Sequence, residues 1–149
     1  MPASGEPAQL GLFGVLASET SISATGANTT PAEIRVALGR FSTYSWSTNT
    51  DLRDLSFADF GDSEDPDSSD GEGRTMDLAK RVTSNVDLSI ALGGDNSITY
   101  AVMRGVFGEE LRNAGLITLD AHHDLRDGLS NGSPVRRLIE AGLPGKSIV

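Results

Sequence analysis

Cysteine is absent from the 149 residues, which excludes disulfides, thiolate metal ligands and a cysteine nucleophile. Any metal must then be held by His, Asp, Glu or Asn. Histidine is almost as scarce, with two in the chain, adjacent at His122 and His123, so a Ser-His-Asp triad would have to draw on that pair. Basic residues number 12 against 21 acidic, a net charge of −9, which opposes contact with nucleic-acid phosphates and anionic membrane surfaces. Neither partner is expected. No apolar run approaches the roughly 20 residues that span a bilayer, and the N-terminus lacks the basic and apolar regions of a signal peptide. The cytoplasm is the expected location, consistent with the lack of cysteine.

What remains is a globular composition: 38% apolar, 22% charged and 17 glycines, enough for one domain with a core and many turns. Residues 1–9 are small and polar and are expected to fray. Leu10-Gly11-Leu12-Phe13-Gly14-Val15-Leu16 reads as a short buried strand, followed by a small-residue loop from Ser18 to Thr30. Thr30-Pro31-Ala32-Glu33 has the pattern of a helix start, with Thr as N-cap, proline in the first turn and Glu three residues after the cap. The spacing predicts a helix to about Leu38.

Phe41 to Thr50 is irregular and aromatic, and Leu52 to Phe60 carries a possible strand. Residues 61–73 (Gly-Asp-Ser-Glu-Asp-Pro-Asp-Ser-Ser-Asp-Gly-Glu-Gly) read as a flexible acidic loop. They lack the ligand register of a calcium-binding EF-hand loop. Arg74 to Asn85 suits a helix, Val86 to Leu92 a strand and Ser97 to Val106 a helix. Ala114 to Leu119 reads as the next buried strand, with Asp120 at its C-terminal end. Ser133-Pro134 opens a helix closed by Gly142, and Ser147-Ile148-Val149 looks like the start of another strand. Strands alternating with helices indicate βαβ units and a parallel sheet, in which chemistry collects at the carboxyl ends of strands.

Two segments fall at such ends. Gly93-Gly94-Asp95-Asn96-Ser97 lacks the glycine spacing and lysine of a phosphate-binding loop. Asp120-Ala121-His122-His123-Asp124 places two carboxylates and an imidazole at positions i, i+2 and i+4. If the backbone is extended there, all three point to one side and can converge on a metal. Carboxylates with imidazole and no thiolate suit Mn²⁺, Mg²⁺, Fe²⁺ or Zn²⁺, with a lean toward the harder ions. The competing reading is a turn with an Asp cap and a solvated histidine. His123 would point away and serve in packing.

Taken together, the two segments resemble the ureohydrolase family of arginases, agmatinases and formimidoylglutamases. In that family a Gly-Gly-Asp-His-Ser segment supplies one metal-binding histidine and Asp-Ala-His-x-Asp supplies three further ligands. Gly14 on the first strand and the Pro31-Ala32-Glu33-Ile34-Arg35 helix start extend the likeness to most of the chain from about Leu10.

The resemblance implies a three-layer α/β/α fold with a parallel sheet, of which residues 1–149 would be the N-terminal half. It implies Mn²⁺, two ions per site in the family, with Asp120 bridging them and His122 and Asp124 each binding one. A hydroxide held by the metal would be the nucleophile, with no catalytic side chain beyond it, and the reaction would be hydrolysis of an amidine C–N bond. Asn96 stands at the family's histidine, and its neutral amide oxygen would be a weaker ligand, so that side of the site would be weak or empty. The family's later Ser-x-Asp-x-Asp segment would lie beyond Val149.

Arg126 is a candidate clamp for a substrate carboxylate, since guanidinium grips carboxylates in a bidentate manner; otherwise it would pair with Asp127 or Asp124 at the surface. Asn131 stands where arginases and agmatinases have a histidine in His-Gly-x-Pro, and is assigned to substrate binding. These features look most like the formimidoylglutamases, which cleave N-formimidoyl-glutamate to glutamate and formamide in histidine breakdown. The alternatives are a guanidino hydrolase of the agmatinase or arginase type, or a non-catalytic ureohydrolase-like subunit. A homo-oligomer is expected as the assembly.

Overall fold

The computed structural model describes residues 7–149. In chain order its elements are β1 (Ala8–Val15), α1 (Thr30–Leu38), β2 (Tyr44–Ser45), β3 (Thr50–Asp51), β4 (Phe57–Ser63), α2 (Gly71–Thr83), β5 (Val86–Gly93), α3 (Ile98–Phe107) and α4 (Pro134–Glu140), with short 3₁₀ turns between them. β1 is the middle strand of a three-stranded sheet ordered β4-β1-β5. Both pairings are parallel, and Val15 lies opposite Ser63 on one side and Gly93 on the other. That register matters for function: the loops after β1, β4 and β5 all leave the sheet at the same edge.

Side-chain alternation along β1 divides the layers. Phe13 and Val15 are buried with Leu78, Ala79 and Val82 of α2, and Ile98, Val102 and Val106 of α3 pack onto the same cluster. Gly11 shares that face, and a Cβ there would lie 2.9 Å from the Val82 side chain, so α2 rests directly on the strand. Gly14 faces the other way, where a Cβ would come within 3.0 Å of Pro31 of α1. Arg35 of α1 is fixed to β4 by a bidentate pair with Asp59 (2.7 and 3.0 Å) and a further contact to Asp62 at 2.7 Å. The described part therefore has helices on both faces of a parallel sheet. A second cluster, Met103, Leu111, Ala114, Leu138 and Leu143, joins α3 to α4.

Several expectations need correction. Of the stretch expected to fray, residues 1–6 lie outside the described residues, whereas Ala8 and Gln9 begin β1. Thr30 is the first residue of α1 and not its cap; Thr29 holds that place without a side-chain cap bond. Phe41 to Thr50 contains one strand of an antiparallel hairpin, β2 against β3. The expected strand at Leu52 begins as a 3₁₀ turn over Leu52–Asp54, and β4 runs on to Ser63, into the supposed acidic loop.

That loop shrinks from the other end too, because α2 starts at Gly71. Between them, Arg74 donates to the Glu64 and Asp65 carbonyls and to Ser68 Oγ. The acidic run is thus organised by one guanidinium. Ala114 to Leu119 forms no regular strand. Leu116 makes an isolated parallel bridge to Ile148, supported by Leu116 N–H to Ser147 O (2.9 Å) and Thr118 N–H to Val149 O (2.8 Å). The apolar pattern is there, but its pairing among the described residues is a single bridge at the chain's last residues, and Leu119 is fully exposed.

Phe13 is wholly buried between β1 and α2. Phe13→Ala is expected to cost about 3–5 kcal/mol by cavity formation, read as a lower urea midpoint with an unchanged m-value.

Candidate metal centre

The turn after β5 is shaped by a close backbone approach. Gly94 donates to Val15 O (2.8 Å) and Asp95 to Ala17 O (2.9 Å), and a Cβ on Gly94 would sit 2.0 Å from Ala17 O. Only glycine fits. This extends the β1–β5 pairing past the sheet edge and sets Asn96 at the rim. The Asn96 amide donates to Asp124 Oδ2 (2.7 Å) and to Asn131 O (3.3 Å), while its oxygen accepts from Thr99 Oγ1 at 2.9 Å. Because an ionised carboxylate only accepts, these partners fix which way the amide faces. Asn96 therefore offers Asp124 its N–H, and its oxygen is taken up by the Thr99 hydroxyl.

Asp124 has φ +52°, in the left-handed region, and is 8% exposed. Burial pushes its carboxyl up from the usual range, and the nearby Asp120 charge adds to this, against the lowering effect of the Asn96 hydrogen bond. Asp120 behaves oppositely. Its Oδ1 accepts from the His122 backbone N–H (2.8 Å) and lies 3.1 Å from His122 Nδ1, and these two bonds, the backbone one foremost, hold it below the usual carboxylate range. Such a side chain to N–H contact two residues on is an Asx-turn. It bends the backbone, so the extended alternation expected for residues 120–124 does not hold.

The donors come as two pairs, Asp120 with His122 and Asp124 with Asn96. Among the described residues no three His, Cys, Asp or Glu side chains are gathered as a metal would require. In chemical type the set fits a hard divalent ion, being carboxylates and imidazole without thiolate, and both pairs line one cavity of about 540 Å³ with Ile22, Arg126 and Asn131. His123 lines it as well, where alternation had pointed it away.

Arg126 is exposed, its backbone N–H donates to Gly132 O at 3.0 Å, and its side chain runs over Gly132. Its guanidinium has no ion pair among the described residues, since Asp127 pairs with Arg136 and Asp124 with Asn96. The surface pairing that competed with a substrate role is not formed. Asn131 is stitched to the loop after β1: it donates to Thr20 O (3.3 Å) and its Oδ1 accepts from the Ile22 N–H (3.4 Å). Ile22 was missed by sequence reasoning. Its one signal is that it interrupts a run of small polar residues.

Comparison with known proteins extends these observations. A family model described as "Arginase family" matches residues 8–149. A formimidoylglutamase of Halalkalibacterium halodurans is 37% identical over 148 residues, an alignment covering 93% of this chain and 46% of that protein. The solved formimidoylglutamase of Bacillus subtilis superposes with a TM-score of 0.83 at 30% identity, over 97% of this chain and 48% of that one. A formiminoglutamase of Trypanosoma cruzi solved with Mn²⁺ shares the fold, with a TM-score of 0.85 at 24% identity over 95% of this chain and 51% of that one. The chain spans about half the length of the curated relatives it matches.

The raised carboxyl of Asp124 carries a pH signature. A carboxylate harder to ionise in the folded state burdens folding above its folded pKa, and that burden vanishes below the unfolded value of about 4. In EDTA, Asp124→Asn is expected to raise the melting temperature at pH 7 and to have lost that gain at pH 3.5.

Proposed function

The chain belongs to the arginase family, and from that premise we propose that it carries the Asp120–Asp124 metal segment of a manganese-dependent hydrolase of linear amidines, acting on N-formimidoyl-glutamate. The observation that carries the substrate choice is the Arg126 guanidinium, without an ion pair among the described residues, on the cavity that holds Asp120, His122, Asp124 and Asn96. A guanidinium on the wall of a site suits a substrate carboxylate. Agmatine, which ends in an amine, would gain nothing from it.

Asp120, His122 and Asp124 are the residues that would hold manganese. Bound metal supplies positive charge that activates water for attack on the amidine carbon. Water then adds across the C–N bond, giving formamide and the free amine of glutamate. Within this chain, Asn96 orients Asp124 through its N–H, Arg126 grips a carboxylate, and Asn131 joins the two loops that face the substrate. Arg126 speaks against agmatine, and support for formimidoyl over guanidino substrates comes from formimidoylglutamase relatives at 37% and 33% identity. Operation in histidine breakdown follows from that substrate. We propose the cytoplasm as the location because the chain has no cysteine, and a homo-oligomer because β4 and β5 are open sheet edges among the described residues; no helix among the described residues is long and apolar enough to cross a membrane.

The test is product analysis on the Mn²⁺-loaded complete protein. Formamide from N-formimidoyl-glutamate, with no urea from arginine or agmatine, is expected; the reverse pattern would sink the assignment. Arg126→Ala should raise KM roughly tenfold with a smaller change in kcat, and Arg126→Lys should recover only part of the loss. The 149-residue chain alone is expected to show no appreciable turnover. Asn96→His should increase Mn²⁺ bound per chain at limiting metal, measured by equilibrium dialysis. No bound metal in either protein, even in excess Mn²⁺, would favour a non-catalytic subunit.

A further inference from the structure

The loop after β1 has no helix or strand to hold it, yet it supplies Ile22 to the cavity wall. Three neighbouring loops fix it instead. Asp67, in the turn after β4, accepts from the Ser18 and Glu19 N–H groups at 2.8 and 3.2 Å. Asn131 accepts from the Ile22 N–H and donates to Thr20 O. Between these anchors lies Asp95, which is 9% exposed. Its Oδ1 takes the N–H and the hydroxyl of Ser97 (3.0 and 2.5 Å), and its Oδ2 takes the Ser21 hydroxyl at 2.5 Å.

Asp95 does not line the cavity, and no cation pairs with it among the described residues; its charge is met by three hydrogen bonds from two segments. One is the start of α3, beside Asn96. The other is the loop after β1, at Ser21, the residue before Ile22. A buried carboxylate held this way is costly to disturb, so the Asp95–Ser21 bond limits how far the loop carrying Ile22 can move from the start of α3 and Asn96.

We propose that Asp95 is a positioning residue for the substrate, acting through Ser21 to hold Ile22 as the apolar wall of the cavity whose cationic group is Arg126. This rests on the functional reading above for the identity of the substrate. A linear amino-acid substrate has a methylene stretch between its carboxylate and its amidine. Ile22 offers that stretch an apolar surface, and it does so only while its loop is pinned.

Ser21 is the cleaner point of attack, because Ser21→Ala cuts the tether and leaves the Asp95–Ser97 turn intact. Two measurements on the complete protein separate the claims. Amide exchange by NMR is expected to speed up at Ser21 and Ile22 by roughly tenfold or more in Ser21→Ala, with the melting temperature within about 2 °C of the parent. Binding of L-glutamate in the presence of Mn²⁺ should weaken several-fold while Mn²⁺ affinity is unchanged, and Ser21→Thr, which keeps the hydroxyl, should restore both readouts. Unchanged exchange at Ile22 in Ser21→Ala would overturn the positioning role, as would a Ser21→Thr protein that behaves like Ser21→Ala. Failure of the complete parent protein to bind glutamate with Mn²⁺ would count against the functional reading alone, since the exchange measurement decides the tether by itself.

Discussion

The approach of Gly94 to the Ala17 carbonyl is the constraint on which the candidate site depends. A Cβ there would overlap the carbonyl oxygen, at 2.0 Å, so the backbone after β5 can lie against the backbone after β1 only because residue 94 has no side chain. Two further N–H to carbonyl bonds follow from that contact. They carry the parallel pairing beyond the formal end of the strands and deliver Asp95 and Asn96 to the edge where the loops after β1 and β4 also emerge. Parallel register determines that shared edge: Val15, Ser63 and Gly93 are level across the three strands.

From that edge outward, polar side chains replace the ladder. Asp67, Asp95 and Asn131 each use an oxygen to satisfy donors on the loop after β1, and Asn96 spans to Asp124. The acidic residues of this protein thus serve two kinds of purpose. Some, such as Asp95 and Asp67, are satisfied by uncharged donors and organise backbone. Others, Asp120 and Asp124, sit beside the cavity with opposed environments, one favoured as the anion by an Asx-turn and the other disfavoured by burial. Both line the same cavity, so a cation there would meet one carboxylate already favoured as the anion and one whose ionisation its charge would favour.

Much of the architecture was legible in the chain. β1, α1, α2, β5, α3 and α4 follow hydrophobic period and the placement of proline and glycine, as at Pro31, Pro134 and Gly142. The misreadings share one cause. Residues 61–73 have the composition of a solvated loop, yet β4 enters them from one side and α2 from the other, because pairing to β1 and the Arg74 contacts outweigh local polarity. Ala114 to Leu119 has the composition of a buried strand and lacks regular ladder partners; apolar residues such as Ile117 and Leu119 stay exposed.

The sequence by itself determined the family, the parallel α/β class and the residue types available for chemistry. Those follow from local periodicity and from the Gly93–Ser97 and Asp120–Asp124 segments, whose order along the chain needs no coordinates. Only the tertiary structure decided how the donors are used. Residues 120–124 bend through an Asx-turn instead of running straight, Asn96 turns its N–H to Asp124, and Arg126 has no acidic partner among the described residues while Asp127 pairs with Arg136. The turn at Asp120 was one of the two readings that segment allowed, and the other outcomes depend on side-chain contacts 9 and 28 residues apart, which composition and local spacing do not encode.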